Sequence, residues 1–113
     1  MSKPDWDKQF PGAITVTDTS GTILWMNERS IQQFKNDGGE ALVGQSVYDC
    51  HPLPAQEIIR RLLANQSSNA YTIEKNGVKK LVFQSPWYQD GQCGGLVEIS
   101  FQIPQEMPHF IRG

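Results

Sequence analysis

An α+β domain, one antiparallel sheet with its helices grouped on one face, is the fold class that the sequence predicts. Three observations predict it. In residues 97–103, Val97, Ile99, Phe101 and Ile103 alternate with Glu98, Ser100 and Gln102, the period of a strand with one apolar and one polar face. Asn76-Gly77 and the polar turn Gln89-Asp90-Gly91-Gln92 separate strand-like runs with residue types that accept positive φ, so residues 70–75, 79–88 and 93–103 read as three antiparallel strands. Between the first strands and these lies one clear amphipathic helix, with Ile58, Ile59, Leu62 and Leu63 on a single face.

The remaining elements follow in chain order. Residues 1–10 are polar apart from Trp6 and Phe10, whose spacing would put them on one face of a helical cap. Pro11-Gly12 ends any such helix. Residues 13–18 alternate Ile and Val with Thr as a strand does, and the Asp18-Thr19-Ser20-Gly21 tetrad supplies a turn whose Asp can bond the backbone ahead of it. Residues 22–26 form the second strand. Asn27 suits an N-cap with Glu28 in the first turn, Ile31 and Phe34 give a short helix its apolar side, and residues 36–39 end it. Residues 40–49, broken by Gly44 and with Ser46 as a cap, suit short helical turns. Pro54 opens the main helix, which runs to about Asn65 and whose Glu57 can pair with Arg60 or Arg61 for about 0.2–0.5 kcal/mol. Residues 105–113, with Pro108, suit irregular chain.

Size and charge narrow the function. A chain of 113 residues makes one domain with a modest core. A net charge of -2 with mixed signs gives no basic stripe of the kind nucleic acid requires, and Lys79-Lys80 is only a pair. No apolar run approaches the roughly 18 residues that span a bilayer, and residues 1–10 hold no apolar signal segment, so the expectation is a cytoplasmic protein. Cys50 and Cys93, outside any CxxC pair, fit reduced thiols there. Two Cys and two His at unrelated spacings make no metal set.

The chain resembles a PAS domain. The resemblance rests on P-x-A-I-x-V-x-D at residues 11–18, G-T-I-x-x-x-N at 21–27, L-V-G-Q-S at 42–46, the helix from Pro54, Asp90-Gly91, and G-L-V-E at 95–98. It covers residues 11–104, leaving 1–10 as an N-terminal cap and 105–113 as a tail. Cys50-His51-Pro52 and the end at Met107-Pro108-His109-Phe110 are similar to small stand-alone bacterial PAS proteins. The resemblance implies a five-stranded antiparallel sheet in the order 2-1-5-4-3 with short helices on one face. It also implies a signalling role: sensing a small molecule or binding a signalling partner protein, with no catalytic effector in the chain.

It assigns no cofactor. Flavin-binding light sensors carry a cysteine in an N-C-R-F-L-Q-type helix, and Asp49-Cys50-His51-Pro52 lacks the Arg, Phe and Gln. Haem-binding members place a histidine a few residues after a P-x-P start. Aligning Pro52-Leu53-Pro54 with that start puts Glu57 at the position, with His51 ahead of the helix. Neither haem nor flavin is supported.

In ligand-binding members the polar rows of the first and last strands face the cavity. Carried over, Thr15, Thr17, Val82, Gln84, Glu98 and Ser100 lie inside, and Trp25, Tyr48, His51, Gln84, Glu98 and Ser100 are the candidate ligand residues, aromatic walls with a few polar groups. Ile14, Val16, Leu81, Phe83, Val97, Ile99 and Phe101 then lie on the outer face, too large an apolar surface to stay bare. With Trp6, Phe10, Ile14, Val16, Phe83, Val97, Ile99 and Phe101 as interface, a homodimer is expected. A one-residue slip of the hairpin exchanges the faces. A ligand-free dimerisation module is the nearest alternative. A small isomerase- or hydrolase-like enzyme with Glu98 as base beside Ser100 is the alternative of another class; no G-x-S-x-G elbow is present and no catalytic set is assigned.

Overall fold

The Thr-spaced Ile and Val of the first strand and the apolar residues that follow the Asp18 turn pair into a hairpin, β1 (Ala13–Thr17) and β2 (Ile23–Met26). The Asp18 carboxylate makes that turn: one oxygen accepts from the amides of Ser20 and Thr22, both at 2.9 Å. The computed structural model describes residues 3–113, without the side chain of Cys50. The sequence expectation for the Cys50 thiol lies outside the described atoms, whereas the Cys93 thiol is free.

Asn27 caps α1 (Glu28–Gln33) by accepting from the Ser30 amide at 3.0 Å. Three 3₁₀ turns follow, Lys35–Asp37, Gly39–Leu42 and Val47–Cys50, the last capped by Ser46 accepting from the Tyr48 amide at 3.2 Å. The long helix α2 (Leu53–Asn65) has Pro in its first turn, where the missing N–H costs nothing. Then come β3 (Asn69–Lys75), β4 (Val78–Gln89) and β5 (Gln92–Ile103). Both connecting turns are two residues long. Asn76-Gly77 has φ of 53° and 78°, and Asp90-Gly91 has 53° and 79°, the left-handed pairs that match strand twist.

The sheet is antiparallel with the order β2-β1-β5-β4-β3, so the chain's first and last strands meet at its centre. The helices cover one face. There Ile23, Met26, Val47, Ile59, Leu62 and Leu96 form the buried core, with Ile31, Phe34, Leu42, Tyr48 and Leu63 packed around it. No helix of the described residues is long and apolar enough to cross a membrane.

Three local expectations need correction. Residues 6–9 form a turn rather than a helical cap, since Pro4 and Pro11 bound a stretch too short to support helix nucleation. The aromatic pair still packs: Trp6 meets Phe10 edge-on at 5.7 Å, and Phe10 meets Phe101 at 6.4 Å. Ile58 is 39% exposed, because the sheet contacts only the stripe through Ile59 and Leu62, and Ile58 sits at its edge. Arg60 turns away from Glu57. Its guanidinium lies 4.6 Å from the centre of the Tyr48 ring, a cation–π contact, and donates to Gln56 Oε1 at 3.4 Å.

Candidate ligand cavity between the sheet and the helices

Strand register sets the floor of the site. Asn69 lies opposite Gln84, Gln84 opposite Glu98, and Glu98 opposite Thr15, so four polar side chains line up across β3, β4, β5 and β1. Three of them are linked in one direction. Asn69 Nδ2 donates to Gln84 Oε1 at 3.0 Å, and Gln84 Nε2 donates to Glu98 Oε1 at 2.9 Å. A carboxylate can only accept, so Glu98 fixes which way the Gln84 amide points, and Gln84 in turn fixes Asn69. At the other end, the Thr15 hydroxyl meets that of Ser30 at 2.6 Å, with Ser30 fully buried in α1.

Three of the four, Thr15, Gln84 and Glu98, line a cavity of about 440 Å³, with Asn69 just outside its wall. Thr15, Thr17, Gln84, Leu96 and Glu98 contribute the sheet side, and Val97 adds its stretch of chain between two inward residues. Ile23 and Met26 close one end. Phe34 and Leu42 from the first helical turns, Val47 from the third 3₁₀ turn and Ile59 from α2 form the apolar roof. Asp37, Asp49 and His51, all exposed, stand where the wall meets solvent. His51 Nδ1 lies 2.6 Å from the Val47 carbonyl oxygen. A carbonyl cannot donate, so Nδ1 carries a hydrogen and donates it, and in the neutral ring Nε2 is left as an acceptor. Among the described residues no group of three or more His, Cys, Asp and Glu comes together as a metal site.

One ionisable group next to the row is perturbed. Burial, and then the negative charge of Glu98, raise the Tyr71 hydroxyl above its ordinary pKa of 10.0.

Of the residues singled out from sequence, His51, Gln84 and Glu98 line the cavity. Trp25 does not: it pairs with Val16 in the outward row and is 37% exposed, since the register shift between Val16 and Thr17 makes Leu24 an extra residue, and this bulge breaks the alternation that would have set Trp25 on the face of Ile23. The Tyr48 ring packs under the bare α-carbon of Gly21 and against Arg60, at the core's edge rather than in the wall. Ser100 is buried on the inner face opposite Ala13 and Val82, one inward position beyond Glu98 and outside the wall. No hydrogen bond joins it to Glu98 among the described residues. Sequence reasoning missed Asp37 and Asp49, which only the folding of the 3₁₀ turns brings to the rim. It also missed Asn27 as more than a cap.

Asn27 is 1% exposed and uses its whole amide. Its Oδ1 accepts from the amides of Ile14 at 2.9 Å and Ser30 at 3.0 Å, while Nδ2 donates to the carbonyls of Gly12 at 2.9 Å and Asp7 at 3.0 Å. One side chain thus binds the N-terminal segment, β1 and α1 together.

The opposite face of the sheet is apolar. Ile14, Ile99 and Phe83 lie in register across three strands, as do Val16 and Val97. The N-terminal segment covers the Phe101 end, and Ile14 is buried, but Trp6, Trp25 and Phe83 are 52%, 37% and 40% exposed.

A family model described as the PAS fold matches residues 7–106. Solved structures share the architecture. The PAS domain of a protein from Colwellia psychrerythraea is 23% identical, covering 89% of this chain and 93% of its own, with a TM-score of 0.63. The Aer2 receptor of Vibrio cholerae, described as a dual PAS-heme oxygen sensor, is 14% identical over 82% of this chain and 95% of its own, with a TM-score of 0.61. The VqmA dimer of Vibrio cholerae, described among LuxR-type receptors, is 15% identical over 88% of this chain and 49% of its own, with a TM-score of 0.69. No curated protein matches the chain significantly.

Proposed function

We propose that this chain, which belongs to the PAS-fold family, is a sensory domain that binds a small organic molecule between its sheet and helices and associates with a second copy through the outer sheet face. The observation that carries the reading is the cavity: about 440 Å³, apolar in its roof, with a hydrogen-bonded polar row as its floor. That combination of an apolar shell with few, fixed polar groups is what small-molecule sites use to combine affinity with orientation. A floor built from β4, β5 and β1 also touches strands whose reverse sides form the outer face. A molecule that displaces the Gln84–Glu98 bond acts on the surface where a partner would sit.

Association through that face is supported by the exposed Trp6, Trp25 and Phe83, and by the description of one structural relative as a dimer. The haem of the Aer2 receptor is not carried across. Glu57, which occupies the position that the family comparison aligns with a haem-ligating histidine, offers a carboxylate on the exposed side of α2.

Native mass spectrometry of the protein purified from cells tests the reading. A bound mass of a few hundred daltons is expected on the wild type, lost when Leu96→Phe fills the cavity. A bound mass retained by a folded Leu96→Phe protein places the molecule elsewhere and overturns it.

A further inference from the structure

We infer that the cavity selects a cation, a protonated amine or amidine carried on an apolar body, and discriminates against anions; this rests on the proposed reading that the cavity holds a ligand. The argument is the balance of donors and acceptors in its wall. Glu98 gives Oε1 to Gln84, and its other oxygen has no donor among the described residues. His51 donates its Nδ1–H to the Val47 carbonyl, and in the neutral ring Nε2 is an acceptor. Asp37 and Asp49 add two carboxylates at the rim. Against these four groups the wall has few donors. The Thr15 hydroxyl is engaged with Ser30, that of Thr17 is directed at the Leu96 carbonyl at 3.4 Å, and one N–H of Gln84 remains.

Among the described residues no lysine or arginine lines the cavity. Two cations on the helix-covered side are engaged elsewhere: Lys80 Nζ reaches Gln33 Oε1 at 3.5 Å, and Arg60 lies on the Tyr48 ring. One feature pulls the other way, the positive end of the α2 dipole just beyond His51. Its influence fades within the first turn, and the α2 residue in the wall is Ile59, in the second turn. An anion entering the cavity meets Glu98 without a counter-charge, which a half-buried site penalises strongly. A cation with two or three N–H groups meets unfilled acceptors. Phe34 and the aliphatic roof suit an aromatic or branched body.

Three probes of one shape and different charge test this: benzylamine, benzyl alcohol and benzoate, titrated at neutral pH while amide resonances of the cavity are followed by NMR. Benzylamine is expected to bind about tenfold more tightly than benzyl alcohol, the worth of one charge-assisted hydrogen bond, with benzoate weakest. Glu98→Gln, which keeps an acceptor for Gln84, is expected to remove most of the benzylamine advantage over benzyl alcohol. Benzoate binding as tightly as benzylamine, or an advantage that survives Glu98→Gln, overturns the inference while leaving the cavity as a ligand site. Failure of all three probes to shift any cavity resonance overturns the ligand-site reading and the inference with it.

Discussion

Asn27 Nδ2 donates to the carbonyl oxygen of Asp7 at 3.0 Å, tying the N-terminal segment to the residue that starts the first helix. Three further bonds from the same buried amide reach Gly12, Ile14 and Ser30. Replacing Asn27 with Ala leaves two backbone donors and two acceptors to find other partners, each worth about 1–3 kcal/mol if left buried and unpaired. Asn27→Ala should lower stability by about 3 kcal/mol or more in urea titration. Asn27→Asp should restore the acceptor side only and leave the amides of the N-terminal segment exchanging faster in hydrogen-exchange measurements.

Gly95 has a φ of 146°, and a Cβ there would enter the Thr17 carbonyl and the Asp18 backbone. Neither neighbour is a flexible side-chain end. The site sits where an extra residue in β5, Gly94, shifts the register opposite Trp87 and Tyr88. Gly95→Ala should therefore cost about 2–4 kcal/mol by forced displacement of β1, read as a fall in the unfolding midpoint with an unchanged m-value. Gly44→Ala, where nothing lies within reach but φ is also positive, should cost only about 1 kcal/mol.

Tyr71 gives a pH signature. Its folded pKa lies above 10.0 because burial and the charge of Glu98 both disfavour the phenolate. The protonated hydroxyl is thus favoured by folding: its contribution is whole below the unfolded value of about 10 and is lost as pH rises through the higher folded value. Ultraviolet titration compared with Tyr71→Phe should place this phenol above an exposed tyrosine. Glu98→Gln should lower it partway, leaving the burial contribution.

Phe83 lies in register with Ile99 and Ile14 at the middle of the outer face and is 40% exposed. A charge there should cost the monomer little and a sheet-to-sheet dimer a great deal. The wild type is expected to sediment as a dimer if the proposed association holds, and Phe83→Glu as a monomer at the same concentration, with stability of the isolated domain changed by less than about 1 kcal/mol.

The fold was largely legible because its signals are local. The alternation through Ile103, the Asn76-Gly77 and Asp90-Gly91 pairs, and the caps at Asn27 and Ser46 each lie within a few residues of what they determine. The site was legible only where a long strand carried it: Gln84 and Glu98 fall inward by simple alternation. Trp25 sits on a strand of four residues, too short for a period to declare itself, and it faces outward. Asp37 and Asp49 belong to 3₁₀ turns whose direction is set by tertiary packing. Asn27 reaches partners up to 20 residues away, which no local pattern encodes.

The flat seat that Gly94 offers the Trp87 indole has an optical consequence. Trp87 is pinned there by its Nε1 hydrogen bond to the Thr17 carbonyl at 2.8 Å, and Thr17 is part of the cavity wall. Trp6 and Trp25 are open to water and far along the other face. If the cavity takes a ligand as proposed, Trp87 should report on it through Thr17, while Trp6 and Trp25 report on the outer face. With Trp6 and Trp25 replaced by Phe, the domain becomes its own fluorescent gauge of whatever enters it.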